Sequence, residues 1–124
     1  MEMYIKCWKH CADFSSRASR SEYWQFFIVN VIFTLILSAI SYGLFYEYEF
    51  FSKLAMCYSY AALVPGVAVC VRRLHDIGRS GWLYLIILIP ALGLICLFLL
   101  MFLKGDKNVN SWGSPVVQET EIQQ

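Results

Sequence analysis

The sequence predicts an all-α integral membrane protein with three transmembrane helices and an N-terminal amphipathic interfacial helix. Three observations carry this expectation. The 124 residues are 59% hydrophobic and only 15% charged, whereas soluble domains carry about 25% charged residues. The charges are also segregated: all ten Lys and Arg and all nine Asp and Glu fall outside three windows, 23–46, 54–71 and 82–103. Helices of that length span about 27 to 36 Å, which brackets a hydrocarbon core of about 30 Å. A soluble bundle is excluded because the remaining polar sequence is too short to cover three helices that are apolar all round.

Composition excludes further classes. A net charge of +1 gives no bulk attraction to nucleic acid. Five cysteines form an odd set. Cys57, Cys70 and Cys96 lie inside the expected spans as small apolar residues, and Cys7 and Cys11 precede them, so reduced thiols are expected rather than a disulfide framework.

In chain order, residues 1–16 form the first unit. No signal-peptide pattern is present, since the apolar run starts too late. At 100° per residue, Glu2, Lys6, Lys9, His10 and Asp13 share one arc, and Met3, Tyr4, Ile5, Cys7, Trp8 and Cys11 cover much of the rest. That pattern suits a helix lying in the membrane interface; the competing reading is a helix packed on the protein's own loops. Cys7, His10 and Cys11 share a helix edge, but a structural zinc takes four protein ligands and the only other histidine is His75. No metal, cofactor or catalytic set is expected.

The membrane domain, 17–104, opens on Arg17-Ala-Ser-Arg-Ser-Glu-Tyr-Trp24. Ser19 and Glu22 have capping-box spacing, Tyr23 and Trp24 form an aromatic belt, and Arg17 and Arg20 stand ready to pair with the later polar block. In the first span, Asn30, Thr34, Ser38 and Ser41 fall on one face, a stripe suited to packing against another helix. The short connection 47–53 forces an antiparallel hairpin. Pro65-Gly66 in the second span and Pro90 with Gly93 in the third predict kinks, and the latter pair leaves open that span three re-enters instead of crossing. Past Gly105, residues 105–124 read as a turn and a loose polar tail.

The densest charge is 72–82, Arg-Arg-Leu-His-Asp-Ile-Gly-Arg-Ser-Gly-Trp, between two charge-free runs. Arg72 and Arg73 close span two, Ser80 is an N-cap for span three, and Gly78 and Gly81 let the chain turn. Asp76 is expected to stay ionised and to pair with arginines. His75 beside Asp76 invites a general-base reading, but no third partner is visible. A polar hinge or lipid-phosphate site would comprise Arg72, Arg73, His75, Asp76, Arg79 and Ser80, with anionic phospholipid headgroups as the ligand.

The blocks 17–24 and 72–82, Pro90, and Asn110-Ser-Trp-Gly-Ser-Pro115 together resemble domain of unknown function family 805, small bacterial inner-membrane proteins. The resemblance runs from about Phe14 to Pro115 and has Trp112 where the family more often has Tyr. It implies location and topology and no activity.

Two function classes fit these features. One is a structural or interaction subunit of the bacterial envelope, working as a homo-oligomer or with a membrane-protein partner. The other is a small oligomeric transporter or channel. With three crossings, the N-terminal segment and the hinge share seven Lys and Arg on one side against three on the other. The excess places the N-terminus in the cytoplasm and the tail outside.

Overall fold

The structure, a computed structural model, describes residues 2–44 and 49–116. Helix α1 covers Glu2–Lys9. Helix α2 covers Arg20–Ala39 and continues as a π-helical turn, Ile40–Leu44; α3 covers Glu49–Asp76. A 3-10 helix, Gly81–Leu88, and helix α4, Leu92–Phe102, follow. Phe45, Tyr46 and Glu47, at the expected end of span one and start of its connection, lie outside the described residues, as do 117–124 of the tail.

Two helical stretches, Arg20–Gly43 and Glu49–Asp76, are long and apolar enough to cross a membrane, with mean hydropathy 2.0 and 1.8. Only 11% and 17% of their apolar windows are buried inside the protein, so their apolar surfaces face outward, as lipid-facing helices do. They form the expected antiparallel hairpin. Glu22 meets Arg72, Phe26 lies against Gly66, and the Phe33 ring packs on Tyr58.

Helix α2 starts where its local chemistry dictates. Ser19 is extended, with ψ 162°, and its hydroxyl accepts from the Glu22 N–H, satisfying one of the orphan donors of the first turn. The reciprocal half of the capping box is not made: Glu22 turns inward to Arg72 instead. Helix α3 runs through Pro65 and past the apolar limit at residue 71 to Asp76. The hinge is therefore mostly helix, and only 77–80 is turn. Its end is a Schellman motif: the Gly78 N–H donates to His75 O, the Arg79 N–H to Leu74 O, and Gly78 takes φ +71°.

The expected single helix over 82–103 does not form. The Ser80 hydroxyl accepts from the Trp82 N–H and starts a 3-10 helix. Ile89, before Pro90, is extended at φ −84° and ψ 110°, because a following proline disfavours the helical region. Ala91 then adopts φ 59°, and the chain reverses. Gly93 permits the reversal: a Cβ there would stand 1.8 Å from the Ile86 carbonyl oxygen. Helix α4 then runs back beside the 3-10 helix. Gly81 packs on Val71 and His75, and Leu103 accepts from Arg73, so both ends of the apolar run meet the same end of α3. Eight 3-10 residues rise about 16 Å and eleven α residues about 16 Å, roughly half a hydrocarbon core.

Helix α1 docks on this assembly through Tyr4, Cys7 and Trp8. The Tyr4 ring stacks on Phe26 with centroids 5.6 Å apart, and its hydroxyl is 3.0 Å from that of Tyr58. Cys7 joins the buried cluster with Ala18, Tyr23, Phe26, Val69 and Leu74. Part of the face expected to meet lipid is thus spent on α2 and α3.

Candidate functional site: a buried ion-pair node

At one end of the helices the chain gathers five buried charged residues, Arg17, Glu22, Arg72, Arg73 and Asp76. Arg72 and Arg73, on the last turns of α3, are 1% and 0% exposed, and Glu22 on the first turn of α2 is 1% exposed. Charges buried to this degree persist only when paired and hydrogen-bonded.

Arg17 is the most completely engaged. A guanidinium has five N–H donors, and here they meet five acceptors. Nε donates to Asp76 Oδ1 at 3.0 Å; Nη1 donates to the carbonyls of Asn108 and Gly113 at 3.1 and 3.2 Å. Nη2 donates to the carbonyls of Asp76 and Asp106 at 3.1 and 2.7 Å. One side chain ahead of α2 thereby holds the end of α3 and three points of the segment after α4. Asp76 takes Arg17 on one oxygen and Arg73 on the other, and Arg73 also donates to Leu103 O. Gly105 passes so near that a Cβ would lie 2.1 Å from Asp76 Oδ2, and the Asp106 N–H donates to Asp76 O at 2.7 Å.

A second pair lies beside the first. Arg72 Nη1 donates to Glu22 Oε1 at 2.8 Å. The other Glu22 oxygen faces Lys6 Nζ at 3.5 Å, longer than a charge-assisted hydrogen bond. The Cys7 thiol points at Glu22 from 3.7 Å. Burial first, and the Glu22 carboxylate second, push this thiol up to about 11, against a smaller opposing effect of Arg72. At neutral pH it is a thiol and not a nucleophilic thiolate.

The His75 ring makes its contacts with residues other than Asp76. Its ring stacks on Trp112, with centroids 4.5 Å apart and planes 8° from parallel. Its Nδ1 is 3.4 Å from Ser16 O. The Asn110 side-chain amide donates to the His75 carbonyl at 2.9 Å. No acid–base pair is formed between His75 and Asp76. Arg79 is exposed and, among the described residues, has no ion pair. Arg20 is exposed and donates to Phe102 O at 3.4 Å, and Ser80 is an exposed cap. The hinge set thus divides: Arg72, Arg73, His75 and Asp76 join the node with Arg17 and Glu22, while Arg79 and Ser80 stay outside.

Three residues of the node carried no signal in the sequence. Gly105 reads as a helix end, Asn110 as a turn residue, and Cys7 as part of an apolar face; each is placed by contacts many residues away.

The node joins the three stretches that resemble family 805. The family described as "Protein of unknown function (DUF805)" matches residues 11–114. The chain belongs to this family. Among its relatives, inner membrane protein YhaI of Escherichia coli K12 is 34% identical over 114 residues, covering 92% of this chain and 94% of YhaI. Inner membrane protein YhaH of the same strain is 35% identical over 114 residues, covering 91% of this chain and 94% of YhaH. No solved structure matches the chain.

Proposed function

We propose that this family member is a non-enzymatic structural or interaction subunit of the bacterial inner membrane. In this reading α2 and α3 cross the bilayer, residues 81–103 re-enter it, and both the N-terminus and the C-terminal segment face the cytoplasm. The observation that carries the reading is how the polar residues are used. Arg17 and Arg73 hold Asp76, and Trp112 covers His75. The motifs of the family are spent on joining the chain's own segments, while the helices leave broad apolar faces outward.

Those faces suit a membrane partner or a second copy of the chain. Between α2, α3 and the hairpin lies an apolar groove of about 490 Å³ whose walls include Phe27, Val31, Leu63 and Leu94. The test is a mass measurement on protein released from membranes with its lipids and partners retained. A homo-oligomer or a stoichiometric membrane-protein partner is expected; a bare monomer at every detergent concentration sinks the interaction role.

One observation favours the transporter reading as runner-up. At the end away from the node, Thr34 and Ser38 of α2 and Ser41 of the π-helical turn face Ser52, Lys53 and Ser59 of α3 around a cleft of about 520 Å³. A solute path would have to continue past the ion pairs at the other end, which close it. Solute flux in vesicles that depends on Ser38 and Ser59 would replace the interaction reading.

A further inference from the structure

Among the described residues the buried node is not electrically balanced. Arg17, Arg72 and Arg73 face two carboxylates, Glu22 and Asp76, and guanidinium groups do not deprotonate in proteins. One positive charge remains, in a setting where an uncompensated buried ion is costly. Among the described residues, two of the node's three buried unspent guanidinium nitrogens are on Arg72, the third being Arg73 Nε. Arg17 has all five donors engaged. Arg72 uses only Nη1 on Glu22; its buried Nε and Nη2 have no hydrogen-bond acceptor among the described residues. The neighbouring Cys7 thiol is at best a weak acceptor.

Arg72 lines a polar cavity of about 220 Å³, closed by Lys6, His10, Ser16 and Arg17 on one side and by the turn at 112–114 on the other. A water's share of liquid volume is about 30 Å³, so the space holds a polyatomic ion with room to spare. Three permanent cations and a histidine border it. Among the described residues no carboxylate lines it: Glu22 is turned to Arg72 Nη1 and Lys6, and Asp13, 3.9 Å from His10 Nδ1, accepts from the Ser15 and Ser16 N–H and hydroxyl groups.

We infer that this cavity is a binding site for a phosphate-class oxyanion, with Arg72 as its buried anchor and Lys6 and His10 at its mouth. The anion lies against Arg72, with Lys6 and His10 beside it, and neutralises the node's excess charge. The same chemistry describes a free phosphate group and the phosphodiester of an anionic lipid. This site differs from one built on Arg79 and Ser80, which lie outside the node. It does not depend on the topology proposed above.

The test uses the full chain purified in a neutral detergent. Thermal unfolding is followed against inorganic phosphate at fixed ionic strength made up with chloride, and, separately, against phosphatidylglycerol added to the micelles. Phosphorus NMR follows broadening of the phosphate signal by the wild-type protein, which requires no variant. Arg72 itself is unsuitable for substitution because Glu22 depends on it. His10→Glu places a negative charge at the half-exposed mouth, and Lys9→Gln makes an equal charge change on an exposed residue that does not line the cavity. Phosphate is expected to broaden and to raise the melting temperature. His10→Glu is expected to weaken its apparent affinity by about tenfold, the worth of one charge-assisted contact, and Lys9→Gln to leave it unchanged. The same pattern with phosphatidylglycerol alone also supports the site and assigns the anion to a lipid. No broadening and no stabilisation by either probe overturns the proposal, as does equal weakening by the two substitutions.

Discussion

Arg17 shows how much one side chain carries here. It bridges residue pairs 59 to 96 positions apart in sequence, and its planar fork is what matches five acceptors at once. Arg17→Lys keeps the charge and loses most of the contacts, so the melting temperature should fall well below wild type. Asp76→Asn leaves Arg17 and Arg73 without their shared counter-ion. Removing one partner of a buried pair costs about 3–5 kcal/mol, against about 0–1 for an exposed one. Thermal melts in detergent should therefore rank Asp76→Asn far below Glu49→Gln, whose pair with Lys53 is exposed. Equal melting temperatures would remove the structural role given to the node. Trp112 acts through its ring: Trp112→Tyr should retain the stack on His75 and near-wild-type melting, and Trp112→Ala should not.

Asp13 gives the pH dependence a sign. Chiefly the Ser16 hydroxyl, and then the Ser15 and Ser16 groups, hold its carboxyl below the ordinary range. A depressed folded-state value stabilises above the unfolded value of about 4, and that contribution is lost as pH falls further. Because Asp13 is partly exposed the effect is modest. Asp13→Asn should flatten the loss of melting temperature between about pH 5 and pH 3, measured beside wild type.

Among the elements, those set by local chemistry were legible and those set by distant contacts were not. Ser19, Ser80 and the turn at Gly78 follow cap and turn rules that involve neighbours within a few residues, and the two long helices follow from uninterrupted apolar runs. The charges at 72–76 read as the end of a span because their neutralising partners, Glu22 and Arg17, lie at least 50 residues away; once paired, the helix continues through them. The grouping of Arg72 with Arg79 followed from adjacency, and the turn that ends α3 after Asp76 separates them. Pro90 and Gly93 announced a break, but not its direction: an unbroken count of 22 apolar residues satisfies a crossing and a hairpin equally. The deciding contact, Gly93 against the Ile86 carbonyl, is backbone on backbone. Gly93→Ala should therefore open the hairpin and lower stability by more than about 1 kcal/mol, the ordinary scale of a Gly-to-Ala change in a helix, with the sign reversed from the propensity expectation. A stabilised Gly93→Ala protein would mean that the two halves do not touch.

For the whole molecule, the hairpin changes the charge balance across the bilayer. If residues 82–103 crossed, Lys104 and Lys107 would lie opposite the hinge, and seven positive residues would face three. With both ends of that run at the node, Lys6, Lys9, Arg17, Arg20, Arg72, Arg73, Arg79, Lys104 and Lys107 share one side, and Lys53 alone is on the other. Cytoplasmic segments carry the excess of Lys and Arg, so nine against one is a much stronger orienting signal than seven against three. The contacts agree with it, since Arg17 cannot bond Asn108 and Gly113 across a membrane. A single cysteine decides the point. In a variant lacking the native cysteines, Val109→Cys occupies a position 72% exposed in the wild type, and Ser52→Cys an exposed position at the far end of α3. An impermeant thiol reagent on intact cells should label Ser52→Cys at once and Val109→Cys only after the inner membrane is opened. Labelling of Val109→Cys in intact cells, with Ser52→Cys protected, would invert the proposed orientation; labelling of both would restore a third crossing.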